Sequence, residues 1–280
     1  ELDAAGHGLV MFMGKGGVGK TTMAAALAVE LASRGRAVHL TTTDPAAHLE
    51  STLGADVPNL RVSRIDPRAE TEAYRQRILD RSRPTLDADA LALLEEDLRS
   101  PCTEEVAVFH AFSRVVFSAR RELVVMDTAP TGHTLLLLEA AVSYHRESVR
   151  QASQSGLHIG TPLMKLQDPV QTRVIIVALA ETTPVQEAAH LQDDLRRAQI
   201  EPYAWVINRS LAATDTRDPL LRARARAEIV ELSVVAERHA PRVFVVPWSS
   251  EEPAGPAALR RLIARASNVE PKESPCSATR

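Results

Sequence analysis

The sequence predicts a doubly wound α/β fold, a mainly parallel β-sheet flanked by helices on both faces. Three observations lead there. Short apolar runs alternate with helical stretches of 12 or more residues, which only parallel strands with crossover helices accommodate. A glycine-rich turn, "GKGGVGK" (Gly14 to Lys20), joins the first apolar run to the first helix. A later apolar run, "LVVMD", ends in Asp127, where the carboxyl ends of parallel strands present their ligand-facing residues.

The elements follow in order. "GLVMFM" (Gly8 to Met13) reads as a buried strand, and Lys20 to Arg34 as a helix with alanines and leucines at helical spacing. "AVHLTTT" (Ala37 to Thr43) is a second strand, ending at Asp44-Pro45, and "LRVSRI" (Leu60 to Ile65) a third. A charged helical region spans Arg68 to Leu98. Ser100-Pro101 has the composition of a helix start, with Ser at the N-cap, Pro at the first position and Glu104 and Glu105 in the first turn. "ELVVMD" (Glu122 to Asp127), "RVIIVALA" (Arg173 to Ala180), "YAWVIN" (Tyr203 to Asn208) and "RVFVVP" (Arg242 to Pro247) complete the strands. "PAALRRLIARAS" (Pro256 to Ser267) reads as a last helix packed on the sheet. Residues 1–267 form one domain in this reading, and 268–280, rich in Pro, Ser and charge, a disordered tail.

Composition narrows the class. The chain has 280 residues, 45% hydrophobic and 25% charged, enough for one large core. A net charge of −3 gives no reason to expect nucleic acid or an anionic membrane as partner. No apolar run approaches a membrane span or a signal peptide, and Cys102 and Cys276 make no disulfide framework. A soluble intracellular protein is expected. The chain opens on Glu1 with a strand soon after, which suggests a fragment of something longer.

The glycine turn fits two fingerprints. Gly14, Gly16 and Gly19 satisfy the dinucleotide pattern, with Asp44 close to where a ribose-binding acid would stand. Gly14, Gly19, Lys20 and Thr21 satisfy the phosphate-binding P-loop. Lys20, Thr21 and Asp127 decide between them. An ammonium for the β/γ-phosphates, a hydroxyl for magnesium and a carboxylate organising the metal's water shell are a triphosphate's requirements. The cradle would comprise Gly14, Lys15, Gly16, Gly17, Val18, Gly19, Lys20, Thr21 and Thr22, with backbone N–H groups at the start of a helix. The expected cofactors are ATP and Mg2+.

The form "GKGGVGKTT" resembles the deviant P-loop of the ATPase class that includes nitrogenase iron proteins, partition and division-site ATPases and metal-pump ATPases. The resemblance implies that Lys15 reaches across an interface to a facing unit's nucleotide, against the plain reading of a solvated loop lysine. It implies that Asp44 orients the attacking water, against an Asx turn before Pro45. Asn208 resembles the class's base-contacting asparagine, with Pro247 passing near the purine, although Asn208-Arg209 reads equally as a strand-ending turn.

"TTTDPAAHL" (Thr41 to Leu49), "DLRSPCTEE" (Asp97 to Glu105), "MDTAPTGHTLLLL" (Met126 to Leu138) and "LQDP" (Leu166 to Pro169) narrow this further. Together they resemble the family of arsenical pump-driving ATPases, over about Gly8 to Leu262, and specifically its carboxy-terminal half. The resemblance implies a metalloid-stimulated ATPase, the cytoplasmic motor of an arsenite or antimonite efflux system, peripherally attached to the membrane through a permease. It implies that Cys102 and His133, with Ser100 as a weaker ligand, contribute to a metalloid site. Cys102 at a helix start is consistent, since a helix N-terminus favours the thiolate that a soft metalloid prefers, with Glu104 and Glu105 opposing. One cysteine and one histidine do not close a metalloid cage, so a second ATPase unit is an expected partner. Two alternatives are a targeting ATPase for tail-anchored proteins and a partition or division-site ATPase. The first needs a Met-rich apolar surface, and only five methionines are present. The GTPase base-reading motif N-K-x-D is absent.

Overall fold

The computed structural model describes residues 5–155 and 160–269. Eight strands form one sheet in the order β3-β2-β4-β1-β5-β6-β7-β8. They are β1 (Gly8–Met13), β2 (Val38–Thr42), β3 (Leu60–Arg64), β4 (Leu123–Asp127), β5 (Thr172–Leu179), β6 (Ala204–Ser210), β7 (Val243–Pro247) and β8 (Ser267–Val269). All pairings are parallel except β7 with β8.

Alternate residues of β1 divide between two cores, as the two-residue period of a strand requires. Leu9, Met11 and Met13 pack on one face with Phe112, Met126, Ile176 and Trp205. Val10 and Phe12 pack on the other with Leu40, Val125, Val177 and the helix α1 (Lys20–Ser33). Five alanines lie in α1, all of them buried, so its axis can approach the sheet closely. The indole N–H of Trp205, buried in β6, donates to Gln192 Oε1 at 2.8 Å, which removes the cost of an unpaired donor in the core.

The remaining helices are α2 (Leu49–Leu53), α3 (Pro67–Ser82), α4 (Ala88–Asp97), α5 (Pro101–Ser118), α6 (Thr131–Ser155), α7 (Pro162–Gln167), α8 (Thr182–Arg197), α9 (Pro219–Val234) and α10 (Pro256–Arg265). Caps fix several starts. Asp66 accepts from Arg68 N and Ala69 N before α3, and Ser100 accepts from Cys102 N before α5. In contrast, α1 begins at Gly19 in the left-handed region (φ 97°) and no side chain caps it. Its first N–H groups are therefore available to an anion.

Three expectations need correction. The charged region 68–98 is two helices, broken at 83–87 around Pro84. The strand expected to stop at Asn208 runs through a bulge to Ser210, with Arg209 at φ 55°. Asn268, assigned to the tail, lies in β8 and pairs antiparallel with Phe244 of β7; residues 270–280 lie outside the described residues.

Gly14 shows how tightly the loop is seated. Its φ is +145°, and a Cβ there would lie 2.3 Å from the carbonyl oxygen of Val177 in β5. Gly14→Ala should therefore lower stability by roughly 3 kcal/mol or more, measured as the shift in denaturant midpoint. Gly17, with open space around its Cβ position, should lose only the strain of its positive φ on the same substitution.

Candidate functional site: a phosphate cradle over a buried aspartate

The site lies beyond the carboxyl ends of β1, β2 and β4. Asp127, the last residue of β4, is fully buried. Its Oδ2 accepts from Thr21 Oγ1 at 2.8 Å and from Thr42 Oγ1 at 3.2 Å. Its Oδ1 has no hydrogen-bond partner among the described residues. Burial pushes the carboxyl up to about 6, against the Thr21 hydrogen bond and the Lys20 charge, which favour ionisation. A buried carboxylate with an orphan oxygen, next to the hydroxyl of a P-loop threonine, is the donor set that a hydrated Mg2+ fits.

Lys20 is 6% exposed, and its ammonium donates to the carbonyl of Lys15 at 3.0 Å. Burial lowers its pKa, while Asp127 and Asp44 act in the opposite direction. Both Lys20 and Thr21 come from the first turn of α1, so the helix start delivers the ammonium and the hydroxyl together.

Asp44 stands in the loop after β2. Its Oδ1 accepts from Ala46 N at 2.9 Å, and its own N–H donates to Thr42 Oγ1 at 3.0 Å. That is the Asx turn the sequence also allowed. The turn engages one carboxylate oxygen, so it does not exclude a role for the other. Arg64, which sequence reasoning passed over, pins the same loop by donating to the carbonyls of Pro45 and Ala47. Thr43 and Thr42 were also missed as site residues. Thr43 Oγ1 accepts from Ala129 N at 3.0 Å, and Thr43 N donates to the Asp127 carbonyl. The run "TTTD" is their only sequence signal.

Beside the loop lies a cleft of about 300 Å3, lined in part by Thr22, Met23, Asn208, Pro247 and Trp248. Asn208 is buried and already engaged: Nδ2 donates to the Val18 carbonyl at 2.9 Å, and Oδ1 accepts from Arg209 N. One amide hydrogen is left for a base. A Cβ on Gly19 would lie 2.2 Å from Asn208 Nδ2, so glycine there lets β6 brace the cradle.

Lys15 is partly exposed and paired. Its ammonium lies 2.8 Å from Glu187 Oε1 on α8, a partner that sequence spacing gave no means of finding.

Cys102 is an exposed, free thiol at the second position of α5, with Ser100 as the N-cap. The backbone of His133 lies in the first turn of α6. Its side chain lies outside the described residues. Helices α5 and α6 pack together, and α6 starts four residues after Asp127. Among the described residues, no three His, Cys, Asp or Glu side chains gather closely enough to hold a metal ion.

A parallel sheet with a glycine loop, a P-loop Lys-Thr pair and a strand-end aspartate defines a P-loop nucleoside triphosphatase. The particular family follows from comparison with known proteins. The model of the anion-transporting ATPase family matches residues 7–155 and 159–266, and the chain belongs to that family. It is 59% identical over 256 residues to an Escherichia coli protein named arsenical pump-driving ATPase, covering 91% of this chain and 44% of that one. The protein of the same name from Acidiphilium multivorum is 58% identical, over 94% of this chain and 45% of its own length. The chain thus spans less than half the length of these relatives.

The Asp127 environment generates a pH prediction. Burial raises the folded carboxyl to about 6 from the ordinary aspartate value of 3.8 that the unfolded chain keeps. Between these values the folded state binds more protons, so the nucleotide-free chain loses stability as pH rises through that window. The loss levels off above it, at roughly 3 kcal/mol. Asp127→Asn removes this dependence. The variant should melt higher than the parent at pH 7.5 without nucleotide, with the difference closing below about pH 4, as thermal unfolding across pH will show.

Proposed function

We propose that this chain is an ATP-hydrolysing unit whose turnover is stimulated by arsenite or antimonite, within the motor of a metalloid efflux system. The observation that supports this best is the convergence of Lys20, Thr21, Thr42 and Asp127 on one cradle. The relatives named arsenical pump-driving ATPase supply the metalloid part of the reading. Residues 1–267 act as one ATPase domain paired with a second ATPase unit, and an integral-membrane permease is the output. In this reading membrane attachment is indirect, through the permease and from the cytoplasm; no helix among the described residues is long and apolar enough to cross a membrane.

Position in the cradle supports the following roles. Thr21 and Asp127 would hold Mg2+, Asp127 through water, and the metal would neutralise charge on the phosphates. With the metal bound, Asp127 is ionised, so its burial cost becomes part of the nucleotide-binding equilibrium. Lys20 exchanges the Lys15 carbonyl for phosphate oxygens. The N–H groups of the loop and of α1 bind the phosphates. Asp44 turns its second oxygen to the attacking water, and Lys15 serves the facing unit's phosphates. Asn208 and Pro247 border the adenine. Cys102 and His133, with Ser100, offer this chain's share of the metalloid ligands, the rest coming from the second unit.

The targeting reading is less well supported. Four of the five methionines, Met11, Met13, Met23 and Met126, are buried in the core and only Met164 is exposed. A Met-rich capture surface is not available from these residues.

Lys20→Ala should reduce Mg-ATP hydrolysis at least about 1,000-fold with the fold intact by circular dichroism. Cys102→Ser should leave basal turnover within two-fold and abolish antimonite stimulation. An unchanged stimulation factor in that variant refutes the metalloid assignment of Cys102.

A further inference from the structure

Lys15 is held at both ends by its own chain. Its carbonyl accepts from Lys20 Nζ at 3.0 Å, and its ammonium sits on Glu187 Oε1 at 2.8 Å. Glu187 lies in the second turn of α8, which begins just beyond β5. That strand also seats the loop, through the Val177 carbonyl against Gly14. Glu187 is therefore fixed relative to the cradle by the sheet itself. Both side chains remain nearly half exposed, at 46% and 41%. Such a pair adds little to folding and can be broken without loss of structure.

We propose that Glu187 is a positioning residue that parks Lys15 on its own chain until phosphates of a facing unit draw the ammonium away. This rests on the reading of Lys15 as a lysine that acts in trans. Lys20 leaves the Lys15 carbonyl when phosphate enters the cradle, which frees the peptide of residue 15 to shift. A triphosphate across an interface carries several negative charges against the single charge of Glu187. The ammonium therefore transfers when a loaded unit faces it and stays on Glu187 when none does. An exposed ion pair biases such an equilibrium by no more than about five-fold. Glu187 thus acts as a brake on unproductive turnover, not as an absolute lock.

Two measurements test this. In the first, the nucleotide-free chain is treated with an amine-reactive reagent, and labelling of Lys15 is followed by peptide mass spectrometry with Lys165 as internal reference. An ammonium docked on a carboxylate is shielded from reagent. Glu187→Gln should label about two- to five-fold faster at Lys15 and unchanged at Lys165, while Glu187→Asp should fall between. Equal Lys15 rates in parent and Glu187→Gln overturn the parking contact.

The second measures metalloid-free Mg-ATP hydrolysis with this chain assembled with its second ATPase unit. Glu187→Gln should raise turnover about two- to five-fold, should flatten its salt dependence, and should have no effect in a Lys15→Met background. A rise that persists with Lys15→Met, or no rise at all, overturns the inference and leaves the Lys15 reading standing. Full hydrolysis by Lys15→Met alone instead overturns the trans-acting role itself.

Discussion

The burial of Asp127 constrains the rest of the site. A carboxylate at the floor of the sheet, with one oxygen shared by Thr21 and Thr42 and the other without a hydrogen-bond partner among the described residues, is costly to bury. Its position requires β4 to lie between β1 and β2, so that hydroxyls from the P-loop helix and from the end of β2 both reach it. The same geometry brings the uncapped start of α1 over the carboxylate, with positive Lys20 beside it. Folding thus maintains an electrostatic deficit that a metal ion and phosphates can relieve, which makes ligand binding part of the domain's stability.

The connections leading away from Asp127 are short and polar. The Asp127 carbonyl accepts from Thr43 N, and Thr43 Oγ1 receives Ala129 N. Thr134 Oγ1, in the first turn of α6, donates to the Ala129 carbonyl at 2.8 Å. The loops after β2 and β4 are consequently tied to each other and to the start of α6. Since α6 packs on α5, which carries Cys102, a shift at the phosphate end has a physical route to the proposed metalloid end. Arg64 secures the β2 loop from the opposite side, so that loop is held at both flanks.

Much of this was legible in the sequence because the determinants are local. Apolar runs such as "LVVMD" announce buried parallel strands, and the glycine spacing with Lys20-Thr21 announces the cradle. What escaped depended on long-range approach. Glu187 is 172 residues from Lys15, and nothing in the sequence of α8 marks it as different from Asp193 and Asp194. Asn208 reads as a base contact, yet its amide also supports the Val18 carbonyl, a partner 190 residues away that periodicity does not reveal. Strand β8 is three residues long and pairs at an edge, too short for any alternation to emerge. The charged stretch after β3 showed helical composition throughout, and Pro84 with the Asp87 cap divides it. The Asx turn at Asp44 was visible as an alternative, and hydrogen-bond geometry was needed to establish it.

The central claim is that this cradle hydrolyses ATP under metalloid control within a two-unit assembly. Its most direct test is Mg-ATP turnover with and without antimonite, recorded alongside the mass of the assembly in solution. The account predicts that turnover rises with antimonite in the paired state. An assembly that is paired and hydrolyses ATP but is indifferent to antimonite would contradict it.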